Sequence, residues 1–309
     1  MGGSLMKKGY LFILITAFLY STHEIAAKFL AATAKMDPFQ VVFLEFSIGL
    51  IFLIPLMLRD IHKRGLKLHS RDFKFFFVTG TLCIPVSLVL LQTSLSYTKA
   101  SVASVIICAN AIFIVPFAYF LLKEKLTGHI VFSLLLTLTG VIIIFNPVAF
   151  LAGNIDSRNM LGIVMALASS VAFSLFTVIS AKRVHYYGGL ILNCFSFICG
   201  VLVLSIGMIL FNKPFFQGLT LPGLATLLYM GIFIKALGYL FYFEAIKQTT
   251  AVTASTVFMI KPALATVLAF LILGEALHLN ILMGIVFIVV GSYNVYYFKK
   301  KETMVNLPH

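Results

Sequence analysis

Tryptophan is absent from this chain, and acidic residues number only 10 in 309. Charged side chains of both signs make up 11% of the sequence, where soluble globular domains carry about 25%. That shortage, with 61% hydrophobic residues and a mean hydropathy of +1.06, excludes a water-soluble domain. Without tryptophan, Phe and Tyr must supply any interfacial anchors. Only four cysteines occur, Cys83, Cys108, Cys194 and Cys199, all in apolar runs and without the CxxC or Cys/His spacing of a metal site. They read as small packing residues, and no metal is expected. Phosphate-cradling glycine loops, HExxH and nucleophile elbows are missing as well, so the sequence predicts neither enzyme chemistry, nor a cofactor, nor a nucleotide-driven pump.

What is present is a series of ten apolar segments, at about 9–30, 39–58, 73–92, 99–122, 128–146, 160–184, 189–211, 223–246, 250–273 and 279–298. Each is near the roughly 20 residues that cross a bilayer as a helix. Turn and charge signals separate them, among them MDP at 36–38, RDIHKRGLKLHSRD at 59–72 and NKP at 212–214. His23 and Glu24 interrupt the first run, which argues against a cleaved signal peptide. With the N-terminus placed in the cytoplasm, sixteen Lys and Arg fall inside and five outside. This bias predicts an inner or plasma membrane protein with both termini cytoplasmic. It also accounts for the net charge of +13 as topology, with no nucleic-acid partner.

Sliding the chain by 151 residues reveals a repeat. Gly49 meets Gly200, Gly80 meets Gly231, Ala100 meets Ala251, Ala103-Ser104 meets Ala254-Ser255, Glu124 meets Glu275, and Gly140 meets Gly291. The predicted domains are a first repeat over 6–150 and a second over 156–301. Five spans is an odd number, so the second copy must cross the membrane upside down. The expected fold is therefore an all-α integral membrane protein whose ten helices form two inverted five-helix repeats. Secondary transporters use such repeats, with the substrate site near the midplane between them.

The helix ends LLKEKLTGHIVFSLLLTLTGVIII at 121–144 and LILGEALHLNILMGIVFIVVGSY at 271–293 carry a resemblance. Each shows an apolar stretch, a glutamate and a glycine-containing final helix. Over essentially its whole length the chain resembles the drug/metabolite transporter superfamily, in particular its ten-span EamA family. The resemblance implies substrate translocation by alternating access and leaves the substrate open. VTASTVFMIK at 252–261 also resembles the plastid phosphate/triose-phosphate translocators, in which the matching lysine binds substrate phosphate. Pro262 stands where that family has Arg.

Ionisable residues inside a membrane are functional candidates, costing about 2.5–3.5 kcal/mol at mid-helix on insertion scales. Lys261 lies halfway along the ninth span, and Pro262 should kink that helix by deleting an N–H. Lys261 either holds an anionic substrate group or pairs with a protein carboxylate. The slide places Asn110 opposite it, as a ligand-binding amide or as packing glue. Lys235, with Tyr239 and Tyr242 at i+4 and i+7, either lines the pathway or snorkels to the interface. Glu24 is the expected proton-coupling residue or partner of Lys261. Glu45 is its alternative, and His23 is adjacent to Glu24. Tyr20 and Tyr97 join Tyr239 and Tyr242 as aromatic ligand contacts. Glu124 and Glu275, at helix ends, read as caps or gates.

The function these residues predict is secondary active transport, as an exporter, of small polar metabolites such as amino acids, coupled to protons. The partners are that metabolite, membrane lipid and protons, with the chain acting as a monomer or homodimer. An exchanger of phosphorylated or other anionic metabolites, using Lys261 and Lys235 together, is the alternative. A non-transporting scaffold or an intramembrane enzyme is a third class.

Overall fold

The computed structural model describes residues 2–34, 36–66, 68–94, 96–97, 110–124, 127–145 and 157–273. Nearer the C-terminus it describes 279, 282–284, 286–287, 289–291, 293–294 and 297–298. Every regular element among them is helical. The elements are α1 (Gly2–Thr33), α2 (Pro38–Arg64), α3 (Ser70–Ser94), α4 (Asn110–Leu122), α5 (Gly128–Phe145), α6 (Ser157–Ala181), α7 (Val184–Leu210) and α8 (Leu221–Gln248). They continue with α9 (Ala251–Ala254 followed by Thr256–Leu273) and α10 (Leu282–Gly291). Six of them, α1, α2, α3, α6, α7 and α8, contain stretches long and apolar enough to cross a membrane, and the other four hold shorter apolar helices. The ten hydropathy peaks are thus ten helices. Large apolar side chains such as Ile51, Phe120, Leu202 and Ile209 point outward, as a lipid-facing surface requires.

Polar residues are spent at helix ends. Asp37 caps α2 by accepting from Phe39 N at 2.9 Å, Pro38 sits in the first turn where its missing N–H costs nothing, and Lys213 Nζ donates to the other Asp37 oxygen at 3.0 Å. Thr220 caps α8 in the same way, accepting from Gly223 N at 3.2 Å.

Packing follows the repeat in the sequence. Helix α1 lies along α8 and α9, and its counterpart α6 lies along α3 and α4. Likewise α2 packs on α8, and α7 packs on α3. Helices of one half therefore seat on the other half, with the pairings exchanged. Glycines make the closest of these approaches. A Cβ on Gly49 would stand 3.0 Å from the Gly231 carbonyl, and one on Gly200 would stand 2.6 Å from the Gly80 carbonyl. These two contacts are each other's images under the 151-residue slide. Both third helices also widen into a π-helical stretch at matching places, Leu82–Leu88 in α3 and Met230–Gly238 in α8.

One stability prediction arises here. Gly200→Val inserts three carbons where backbone already touches backbone. Overpacking of this kind costs about 1–3 kcal/mol, so the melting temperature in detergent should fall. An unchanged melting curve would show that α3 and α7 slide apart freely.

Candidate functional site

The site begins with the π-helical stretch of α8. An i→i+5 turn holds one extra residue, disturbs the local helix phase and is frequent at functional positions. Ile234 and Lys235 from this stretch reach the interior between the two halves. Leu88, the last residue of the matching stretch in α3, comes from the other half.

Lys235 is buried. Its Nζ lies 2.9 Å from Glu45 Oε2 on α2, the two side chains being only 8% and 3% exposed. The same ammonium stands 5.3 Å from the centre of the Phe46 ring. His23 on α1 brings Nε2 to 3.8 Å from the other Glu45 oxygen. Charge, partner and imidazole thus form a cluster contributed by three helices, α1 and α2 from one half and α8 from the other. Two ions this deep are costly to desolvate, and their mutual attraction is what retains them.

A cavity of about 60 Å³ adjoins the cluster. Tyr20 and His23 of α1, Leu88 and Leu91 of α3, and Asn110 of α4 line it from the first half. Phe173 of α6, Ile234, Lys235 and Tyr239 of α8, and Phe258 and Lys261 of α9 line it from the second. Asn110 is fully buried, and neither its amide nitrogen nor its amide oxygen has a hydrogen-bond partner in the protein. Its backbone is fixed, the carbonyl accepting from Ser174 Oγ at 2.9 Å. On the opposite wall Ser21 Oγ donates to the Lys261 carbonyl at 3.1 Å, tying α1 to α9.

The remaining wall is aromatic. Tyr20 meets Tyr239 edge-on at 5.7 Å and Phe258 at 5.9 Å, and Phe173 meets Phe258 edge-on at 5.4 Å. The Cys83 thiol donates to the Tyr239 hydroxyl at 3.9 Å, fixing that ring from α3. The Tyr20 hydroxyl is buried without a partner. Chemically the cavity offers an amide that can donate and accept at once, an ammonium, an imidazole and the faces of several rings.

The structure gathers six of the residues expected from sequence, Lys261, Asn110, Lys235, Tyr239, Tyr20 and His23, around this one space. Glu45 stands directly behind it. Tyr242 is buried one layer further back, against Tyr20 at 6.4 Å and Phe258 at 5.4 Å, and does not line the cavity. Tyr97 lies apart, beyond the end of α3, with the Arg158 guanidinium 5.9 Å over its ring. Glu24 belongs to α1, and its side chain lies outside the described residues, as does that of Pro262. The backbone of α9 runs helically through Pro262, and the interruption falls about two turns earlier, at Ser255. Phe173 and Phe258 were missed by sequence reasoning. Phe258 had a signal, since it precedes Lys261 by one turn on the same face. Phe173 had none among 31 phenylalanines.

The EamA-like transporter family matches the chain twice, over residues 7–146 and 160–297. An uncharacterized transporter of Clostridium kluyveri is 52% identical over 296 residues, covering 96% of this chain and 95% of that one. The uncharacterized transporter YoaV of Bacillus subtilis is 22% identical over 243 residues, covering 78% of this chain and 82% of its own. A solved crystal structure superposes with a TM-score of 0.75 over 96% of this chain and 98% of that chain, at 18% identity, a likeness of fold alone.

Proposed function

The chain belongs to the EamA-like transporter family, and on that premise we propose that it exports a small polar metabolite of the amino-acid type by proton-coupled alternating access. The observation that carries this reading is Asn110, a buried amide with two unanswered hydrogen-bonding atoms on a cavity built by both halves. A buried polar group left unpaired costs about 1–3 kcal/mol, and a translocated ligand recovers that cost. An amino acid suits the surroundings. Its carboxylate meets Lys261, its polar backbone atoms meet Asn110, and its side chain lies among Tyr20, Phe173, Tyr239 and Phe258.

The coupling role falls to the cluster of Glu45, His23 and Lys235. A proton entering the cavity reaches His23 and passes to Glu45. Neutral Glu45 then releases the Lys235 ammonium toward the cavity, where a substrate carboxylate can meet it. Release of the proton restores the ion pair and expels the substrate. Because Glu45 already neutralises Lys235 at 2.9 Å, a two-lysine phosphate site is the weaker reading.

A thermal-shift screen of the detergent-purified protein against a metabolite library, with Lys261→Ala in parallel, tests the proposal. A ligand that binds only the folded state raises the melting temperature, by about 2.7 kcal/mol of stabilisation at a hundredfold excess over Kd. Amino acids should stabilise the wild type and not the variant. Stabilisation by phosphorylated compounds instead, or equal stabilisation of both proteins, would remove Lys261 and the amino-acid class from the reading.

A further inference from the structure

Helix α4 ends beside the start of α9, at the end of the bundle where α1 begins. Gly9 of α1 packs there against Gln248 and Thr249, just ahead of α9. Lys123, in a left-handed conformation with φ of 56°, turns the chain out of α4. The next residue, Glu124, accepts a hydrogen bond from the Ala251 N–H through Oε1 at 3.0 Å. Its second oxygen, Oε2, is buried and has no partner. The first N–H groups of a helix have no acceptor within the helix and carry partial positive charge, which a carboxylate satisfies well.

Glu124 is not needed as an ordinary helix cap. Thr250 already fills that position and accepts from Thr253 N at 3.1 Å. What Glu124 adds is a link between halves. The helix it closes, α4, brings Asn110 to the cavity, and the helix it grips, α9, brings Phe258 and Lys261. Separating the end of α4 from the start of α9 opens the cavity toward this end. A buried carboxylate with one oxygen satisfied and one not is a poor permanent bond and a good breakable one. The same pair of residues recurs in the sequence as Glu275 and Ala100, which lie outside the described residues.

We propose that Glu124 is a latch, a positioning residue whose hydrogen bond to Ala251 shuts the cavity at the end of the bundle that carries the N-terminus, and which must release in each transport cycle. The proposal rests on the alternating-access reading above.

The test reads accessibility and needs no substrate. Cys83, Cys108, Cys194 and Cys199 are replaced by alanine, and Leu91→Cys places one thiol on the cavity wall. A membrane-impermeant maleimide is then applied to right-side-out and to inside-out vesicles. Glu124→Ala removes the acceptor. Ala251→Pro independently removes the donor, at a first-turn position that tolerates proline and after Thr250, whose φ of −146° and ψ of 166° are the extended values a pre-proline residue adopts. Each variant should raise labelling about tenfold from the face carrying the N-terminus, the scale of a charge-assisted hydrogen bond, and lower it from the other face. The double variant should match either single one. Glu124→Gln, which keeps an acceptor and loses the charge, should fall between. Labelling that is unchanged, that rises from both faces, or that is additive in the double variant overturns the latch. Labelling of the parent protein from one face only overturns alternating access itself, and the latch with it.

Discussion

Glu45→Leu alone should cripple folding, and Glu45→Leu combined with Lys235→Met should restore folding while leaving transport dead. The single change strands the Lys235 ammonium at 8% side-chain exposure. Removing one member of a buried ion pair costs about 3–5 kcal/mol, whereas replacing both by apolar groups of similar volume is often neutral, or stabilising by about 1–4 kcal/mol. The melting temperature in detergent should therefore fall sharply in Glu45→Leu and return in the double variant. Uptake or efflux in proteoliposomes with an imposed proton gradient should be absent from both, because the double variant has lost the group that takes the proton. His23 stays in place at the cavity wall and cannot replace the pair, since no acceptor remains for its proton. A double variant that transports as well as the wild type would reduce the cluster to architecture.

This pair also shows what was and was not legible in the sequence. Spans, the repeat and the register of its glycines could all be read, because each depends on hydropathy or on a constant offset. The slide that matched Gly49 to Gly200 also matched Asn110 to Lys261, and both line the cavity. Local helix arithmetic served less well. Lys235, Tyr239 and Tyr242 share a face on a regular α-helix. The π-helical stretch through Met230–Gly238 changes the phase, so that Tyr239 remains on the cavity wall and Tyr242 goes behind it. In α9 the proline was the obvious breaker, yet the hydroxyls nearby compete for the backbone first. Ser255 Oγ donates to the Val252 carbonyl at 2.7 Å and Thr256 Oγ1 to the Thr253 carbonyl at 2.8 Å, and such side-chain bonds offer an alternative to the regular ladder. The partnership of Glu45 with Lys235 was beyond reach, because α2 and α8 belong to different halves and nothing local in either sequence names the other.

Asn110→Leu should separate binding from folding in the opposite sense. Its amide is fully buried and unanswered by the protein, so leucine, of similar size, removes a polar penalty of about 1–3 kcal/mol and adds apolar contact with Leu88 and Leu91 across the cavity. The melting temperature of the empty protein should stay level or rise. Ligand-induced stabilisation should disappear and transport should drop at least tenfold, about 1.4 kcal/mol of lost recognition. Few substitutions in a membrane bundle are expected to stabilise the fold and abolish its activity together, so a merely structural asparagine could not produce the pattern. Asn110→Asp extends the logic. It keeps the shape, exchanges the donor for a charge, and should turn the site away from carboxylates and toward cations. If Asn110→Leu instead melts early and its residual folded fraction transports normally, the amide is packing glue between α4 and α6, and the ligand must be held by Lys261 and the aromatic wall without it.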